Sequence, residues 1–165
     1  MSSSTTEALS AAVLTISDSC ARGERADLSG PAVAAFLQKQ NFRVIATEIV
    51  PDEQSAIESA LVKLSAKVQL IVTTGGTGIA VRDVTPEATR AVCGRLVEGI
   101  AELMRSEGAK KTRFAALSRA VCGTRGQSLI LNLPGSPKGA VESLEAVIAL
   151  LPHALQLLSG NTEHK

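Results

Sequence analysis

Three glycines follow directly after an apolar run near the middle of the chain, where ordinary packing does not require them. Residues 73–89 read TTGGTGIAVRDVTPEAT, and the five residues before them are VQLIV. Glycine permits positive φ and a close approach of the backbone to a ligand, so the N–H groups of this loop could hold a phosphate or another anion. The loop matches neither the Walker A pattern nor the G-x-G-x-x-G dinucleotide pattern, and a tight strand-to-helix turn explains it equally well. Its candidate ligand-binding residues are Thr74, Gly75, Gly76, Thr77 and Gly78.

An arginine–aspartate pair, Arg82-Asp83, lies between this loop and a helix that the Thr85-Pro86 sequence predicts. Thr is a good N-cap and Pro is favoured at the first helical position, so Asp83 is not needed as the cap. Its carboxylate could hold Mg²⁺ or orient a phosphate, with Arg82 balancing the charge. A solvated ion pair in a loop is the structural alternative.

A second acid, Asp52, stands in the sequence PDE directly after another apolar run. Asp before a predicted helix is an ordinary N-cap, and taken alone the capping interpretation is the simpler one. Its place after a strand, in the same layer as Asp83, raises the alternative of a paired acidic site. Two carboxylates are enough protein ligands for a nucleotide-bound Mg²⁺, because phosphates and waters fill the other positions.

Two more polar segments follow predicted strands, and their residues complete the candidate substrate site. In an open α/β sheet, ligands bind outside the carboxyl ends of the strands. The helix that begins after Pro134-Gly135 could bind an anion at its N-terminus. A helix cap at Ser136 and a surface charge at Lys138 are the plainer interpretation, and positive charge in segment 118–125 equally suits a surface hairpin. The candidates in these two segments are Ser17, Asp18, Pro134, Gly135, Ser136 and Lys138.

Apolar runs of strand length alternate with segments of helical period, which is typical of a parallel sheet covered by helices. The predicted fold class is α/β, with three layers, a mostly parallel sheet with helices on both faces, and a small β-hairpin. The strands are expected at 12–16, 43–50, 67–73 and 128–133, and amphipathic helices at 29–40 and 53–64.

The second half of the chain is predicted from its start and stop signals. A helix is expected from Thr85-Pro86, and another from Ser136-Pro137 with a kink or restart at Pro152. Residues 113–127 are expected to form a hairpin that leads into the last strand. We expect a flexible tail at 1–10 and a single domain over 11–160.

Composition narrows the classes of function. The 165 residues carry 17 Lys plus Arg and 16 Asp plus Glu, and only 2% are aromatic, so neither a membrane surface nor a nucleic acid is an expected partner. The three cysteines form no C-x-x-C pair, which disfavours a zinc site and a disulfide framework. No basic segment precedes the first short apolar run, so a cytoplasmic location is expected.

Several of these motifs, in this order, resemble the MoaB/Mog family of molybdenum-cofactor biosynthesis. The resemblance runs from about position 11 to 160 and looks most like the Mog branch and the G domains of gephyrin and its plant counterpart. The matching segments are LTISDSC (14–20), IVPDE (49–53), residues 73–89, LSRAVCGTRGQSLILNLPGSPKG (117–139) and LPHALQLL (151–158).

The resemblance implies a molybdopterin adenylyltransferase, which transfers AMP from Mg-ATP to the terminal phosphate of molybdopterin and releases pyrophosphate. It places the catalytic, metal-binding acids at Asp52 and Asp83, a pair that MoaB proteins lack. It also implies a homotrimer and contact with the molybdenum-insertion protein. One alternative is a molybdopterin-binding or carrier protein of MoaB type that performs no chemistry. Another is an assembly subunit that chiefly contacts the molybdenum-insertion protein.

Overall fold

A six-stranded sheet forms the middle layer of the protein, for which a computed structural model describes residues 7–161. The strands are β1 Leu9–Ile16, β2 Phe42–Val50, β3 Leu70–Thr74, β4 Arg95–Leu96, β5 Cys122–Arg125 and β6 Ser128–Leu133. In sheet order they run β2-β1-β3-β6-β5-β4. The first four in this order are parallel to one another, and β5 and β4 are antiparallel to their neighbours.

Helices cover both faces of this sheet. They are α1 Asp18–Ala21, α2 Ser29–Lys39, α3 Gln54–Ser65, α4 Thr85–Val92, α5 Glu98–Ala109, α6 Pro137–Val147 and α7 Leu151–Leu158. Successive residues of the central strands point to opposite faces, so Val13 and Val72 lie in one buried cluster and Leu14 and Ile71 in the other. The first cluster includes side chains of α2, α5, α6 and α7, and the second those of α3 and α4. Burial on both faces explains the continuous apolar runs.

The predicted α/β class and the four long strands are confirmed, with differences of up to three residues at their ends. The strand predicted at 67–73 begins at Leu70. The strand predicted at 12–16 begins at Leu9, so two residues of the predicted tail belong to the sheet. Residues 1–6 lie outside the described part of the chain. All the described strands join one sheet.

The predicted helix start at Thr85-Pro86 is confirmed in α4, but the predicted cap is wrong in a way that matters for the site. The N-cap is Val84, not Thr85, which lies inside the first turn and is fully buried. The Thr85 hydroxyl donates instead to the carbonyl oxygen of Gly75 at 2.9 Å. A hydroxyl so placed cannot cap the helix, because it is used to join the helix to the glycine loop.

The predicted helix start at Ser136-Pro137 and the predicted restart at Pro152 are confirmed in α6 and α7. The Ser136 hydroxyl accepts from the N–H of Gly139 at 3.1 Å and caps α6. A 3₁₀ turn at Ile148–Leu150 interrupts the helix before α7 restarts with Pro152 in its first turn. The run Pro137–Leu158 is long and apolar enough to cross a membrane by length and composition alone. Only 22% of its apolar window is buried, and its buried side chains belong to the first core cluster.

Four elements were not predicted from the sequence: α1, β4, α5 and a 3₁₀ helix at Arg113–Leu117. The predicted hairpin is therefore shorter than expected: it consists of β5 and β6, joined at Gly126. The spacing of Ile100 and Met104, both buried in α5, is a helical signal that could have located this helix.

Candidate functional site

Two cavities meet at the carboxyl ends of the parallel strands. The smaller measures about 300 Å³ and lies between the end of β1 and the start of α2. The larger measures about 510 Å³ and lies between the glycine loop, α5 and α6. Ser136 lines both. Of the predicted residues, the smaller cavity is lined by Ser17, Thr74, Gly75, Gly135 and Ser136, and the larger by Thr77, Gly78, Pro134 and Ser136.

Two glycines of the loop, Gly75 and Gly76, are packed too tightly to carry side chains. Gly75 has φ +96° and Gly76 has φ +69°. A Cβ on Gly75 would overlap the carbonyl oxygen of Ile16, and one on Gly76 would overlap the Thr85 hydroxyl. The N–H of Gly75 donates to the carbonyl of Leu133 at 3.1 Å, so this amide is not free for a ligand. The loop is therefore a tight turn, and its ligand contacts must come from the residues after Gly75.

Asp52 does not cap a helix. The N-cap of α3 is Glu53, and no side chain caps it. The Asp52 carboxylate accepts from the N–H of Asp18 at 2.9 Å, while the Asp18 carboxylate accepts from the N–H of Asp52 at 3.0 Å. This reciprocal pair joins the loops that follow β1 and β2. The capping interpretation is thus excluded, and one oxygen of Asp52 has no part in this pairing.

Arg82 pairs with Asp18 and not with its neighbour Asp83. Its Nε and Nη2 donate to the two carboxylate oxygens of Asp18 at 3.0 and 2.8 Å. This contact, and the Asp52 N–H, hold the pKa of Asp18 below its ordinary value. The expectation that Arg82 balances the charge of Asp83 is therefore not met in this structure.

Asp83 closes a short loop by bonding back to Ala80. Its carboxylate accepts from the N–H of Ala80 at 3.1 Å, and its own N–H donates to the carbonyl of Ala80 at 3.0 Å. A Cβ on Gly78 would lie 2.8 Å from an Asp83 carboxylate oxygen, and one on Gly76 would lie 3.3 Å from an oxygen of Asp52. The two acids thus flank the glycine loop.

The electrostatics of the acid pair suit a cation. Burial raises the pKa of Asp52, and the neighbouring charges of Asp18 and Asp83 raise it further, against the N–H of Asp18 that lowers it. A divalent ion would relieve this repulsion, and carboxylate oxygens are the ligands that Mg²⁺ prefers. Within residues 7–161 no group of three or more His, Cys, Asp or Glu is placed to hold a metal. Asp52 and Asp83 would therefore hold Mg²⁺ only together with ligands from outside the protein, such as phosphate oxygens and water.

Six predicted site residues line neither cavity: Asp18, Asp52, Gly76, Arg82, Asp83 and Lys138. Lys138 is exposed in the first turn of α6. Thr74 is buried, and its hydroxyl shares a hydrogen bond of 2.9 Å with Ser29. Ser17 caps the short helix α1 by accepting from the N–H of Cys20 at 3.2 Å. These local bonds explain the residue types, and Ser17 and Thr74 line the smaller cavity as well.

Sequence reasoning missed Asp27 at the site, and it noted Arg119 only as nearby positive charge. Asp27 lines the smaller cavity and accepts from the Thr15 hydroxyl at 2.7 Å and the N–H of Gly30 at 2.9 Å. An Asp just before the start of a helix is a local capping signal that could have identified it. Arg119 donates to the carbonyls of Gly78 and Asp83, both at 2.7 Å. No local pattern indicates that contact, because its partners are 41 and 36 residues away.

The fold and site define an α/β ligand-binding domain with an acid pair beside a glycine loop. Residues 12–153 match the family described as "Probable molybdopterin binding domain", and the chain belongs to this family. It is 45% identical to the molybdopterin adenylyltransferase of Helicobacter pylori strain J99 over 90% of this chain and 87% of that protein.

Solved structures give the same picture of the fold. The MoaB molybdopterin biosynthesis enzyme of Thermus thermophilus is 53% identical with a TM-score of 0.87, over 92% of this chain and 97% of that one. A MogA structure is 38% identical with a TM-score of 0.85, over 90% of this chain and 99% of that one. The resemblance inferred from the motifs is thus confirmed.

Proposed function

We propose that this chain is a molybdopterin adenylyltransferase, which transfers AMP from ATP to the terminal phosphate of molybdopterin. The observation that carries the proposal is the pair Asp52 and Asp83 on either side of the glycine loop. Relatives at 45% and 40% identity, from Helicobacter pylori and Escherichia coli K12, bear the name of this activity. Each covers 90% of this chain, so the whole domain is compared.

The two cavities suit a reaction between two substrates. A phosphate oxygen of molybdopterin attacks the α-phosphorus of ATP, and the bond to the bridging oxygen of the β-phosphate breaks, so pyrophosphate leaves with the electron pair. Because the attacking oxygen is already anionic, the protein needs no strong general base. Its task is to align the two phosphates, and the cavities that meet at Ser136 provide adjoining spaces for the two molecules.

The protein contributes charge and hydrogen bonds around the reacting phosphates. When bound at Asp52 and Asp83, Mg²⁺ would neutralise the triphosphate oxygens and the leaving pyrophosphate. The N–H groups after Gly75 and the N-terminus of α6 face the same edge of the sheet and can donate to phosphate oxygens. Arg82 is exposed beside Asp18 and can turn towards an entering phosphate.

A second candidate function is a molybdopterin-binding or carrier protein without chemistry. The 53% identity to a structure named MoaB favours keeping this alternative, since the resemblance implies that MoaB proteins lack the acid pair. Both acids are present here, which favours the enzyme. A carrier would bind molybdopterin and release no pyrophosphate.

The experiment is anaerobic conversion of molybdopterin with Mg-ATP, measured as pyrophosphate release. The native chain is compared with Asp52→Asn, Asp83→Asn and the control Glu58→Gln, an acid of α3 that, unlike the other two, does not lie beside a glycine of the loop. We expect turnover that falls by about a hundredfold or more in either Asp variant, as expected when electrostatic stabilisation of the transition state is removed. Molybdopterin binding without turnover in the native chain would favour the carrier.

The assembly belongs to the same proposal. The family resemblance supports a homotrimer that contacts the molybdenum-insertion protein, and the lack of a targeting signal in the sequence supports a cytoplasmic location. Sedimentation of the purified chain tests the trimer, and a single species with the mass of one chain, 17.1 kDa, would contradict it.

A further inference from the structure

Arg119 has an unusual set of partners for a partly exposed arginine. Its Nε donates to the carbonyl of Gly78 and its Nη2 to the carbonyl of Asp83, both at 2.7 Å. Its Nη1 donates to both carboxylate oxygens of Glu87, in the first turn of α4, at 2.8 and 3.0 Å. Its backbone N–H donates to the carbonyl of Thr77 at 2.8 Å. One residue therefore joins the segment before β5 to both ends of the loop 78–83.

An ordinary surface ion pair does not account for this arrangement. The side chains of Arg119 and Glu87 are 39% and 40% exposed, and a pair so exposed contributes roughly 0–1 kcal/mol to stability. The two bonds to backbone carbonyls do something different. They set the distance between the start and the end of the loop that carries the Asp83 carboxylate. The planar guanidinium has donors in a fixed geometry, so it can hold both carbonyls at once.

The loop has few other restraints. Within the described chain, the loop 78–83 is restrained by the contacts between Ala80 and Asp83 and by the exposed pair of Arg82 with Asp18. The side chains of Ile79 and Val81 are exposed. The loop contributes no residue to a helix or a strand. A carboxylate on such a loop must be positioned from outside if it is to lie beside the glycine loop in a constant geometry.

We propose that Arg119 is the positioning residue for Asp83, and that it sets the metal affinity and turnover of the site without touching a substrate. This inference rests on the proposed function for its kinetic part. It predicts that loss of the guanidinium releases the loop, so that Asp83 is no longer held against Gly78. Glu87 in turn orients the guanidinium from α4.

The first test needs no turnover. Amide hydrogen exchange of segment 76–84 is measured on the metal-free protein for the native chain, Arg119→Ala, Arg119→Lys and the control Arg125→Ala. Arg125 also donates to a backbone carbonyl, that of Val92 at 2.9 Å, but it does not touch the loop. We expect faster exchange in both Arg119 variants and native exchange in the control.

The second test measures Mn²⁺ binding by electron paramagnetic resonance and, in the turnover assay, the free Mg²⁺ for half-maximal rate. The Mn²⁺ dissociation constant and the Mg²⁺ concentration for half-maximal rate should both rise about tenfold in Arg119→Ala. This is the size expected when a group that orients a metal ligand is lost. The KM for molybdopterin should change little. Added guanidinium ion should restore part of the lost rate in Arg119→Ala. It should not increase the rate of the native protein or of the control.

Lysine should not replace this arginine, because one ammonium group cannot hold both carbonyls in the same fixed geometry. If Arg119→Ala does not fold, Arg119→Lys decides. Native hydrogen exchange and native Mn²⁺ binding in a folded Arg119 variant would overturn the proposal. A native chain without turnover would contradict the adenylyltransferase function, while the exchange and Mn²⁺ measurements would still decide the role of Arg119.

Discussion

The two acids of the site are held in opposite ways. Asp52 follows a strand directly and exchanges backbone and side-chain hydrogen bonds with Asp18 at the end of the neighbouring strand. Asp83 lies in a loop outside the sheet and depends on Arg119, which reaches the loop from a segment 36 residues away. The first acid is therefore positioned by the sheet itself, and the second by a side chain. Apart from the two acids themselves, changes near Asp52 should act mainly on stability, and changes near Asp83 mainly on activity.

The glycine loop lies between Asp52 and Asp83. Substitutions of its glycines should give the largest difference between the surroundings of the two acids. Gly76→Ala must place a Cβ on a backbone with φ +69° and against the Thr85 hydroxyl. We expect a loss of about 2–4 kcal/mol in the free energy of unfolding, since an unfavourable left-handed conformation adds to the overlap. Gly78→Ala meets only the end of the Asp83 side chain at 2.8 Å, which can move away. Its stability should stay within about 1 kcal/mol while turnover falls about tenfold or more, because the carboxylate is displaced.

Urea unfolding and turnover of both variants are the measurements, with Gly94→Ala as the control. Nothing lies within 4 Å of a Cβ on Gly94, so this change should be nearly neutral. Equal losses of stability in Gly76→Ala and Gly78→Ala would show that Asp52 and Asp83 are not held in different ways.

The carboxylates of Asp52 and Asp18 should contribute to stability with opposite dependence on pH. Burial raises the pKa of Asp52, so its favourable contribution is present at acid pH and is lost as the pH rises through the raised value. Asp52→Asn should therefore be more stable than the native chain at neutral pH. The bond to Arg82 lowers the pKa of Asp18, so its contribution is present above the ordinary value of 3.8 and is lost at lower pH. Asp18→Asn should be less stable at neutral pH.

Urea unfolding at pH 7 and near pH 3 checks both signs. The difference between each variant and the native chain should shrink at the lower pH, where the native carboxyl groups take up protons. A destabilised Asp52→Asn at pH 7 would mean that Asp52 is a structural acid. It would remove the electrostatic argument for a cation at this position.

Arg82→Ala should have the smallest effect on the fold. The side chain of Arg82 is 60% exposed, and exposed pairs contribute roughly 0–1 kcal/mol even when both oxygens are used. We expect a change in stability below about 1 kcal/mol. The KM for ATP should rise if Arg82 turns towards a phosphate. An unchanged KM would leave Arg82 as a partner of Asp18 alone.

Much of the fold follows from local patterns. The apolar runs located the four long strands because buried parallel strands are apolar on both faces. The Ser136-Pro137 cap and the restart at Pro152 were also predicted correctly, because these residue types act on their own turn of helix. The same reasoning was wrong at Thr85, where a contact with the Gly75 carbonyl takes the hydroxyl away from capping.

The sequence by itself determined which residue types stand after each strand, and hence that two acids and a glycine loop lie at one edge of the sheet. Their partners were decided only by the tertiary structure. Arg82 turned out to pair with Asp18 and not with adjacent Asp83, and Arg119 to hold the Asp83 loop. The physical reason is that capping and apolar burial depend on neighbours within a few residues. A hydrogen bond between distant loops exists only after the strands have brought those loops together.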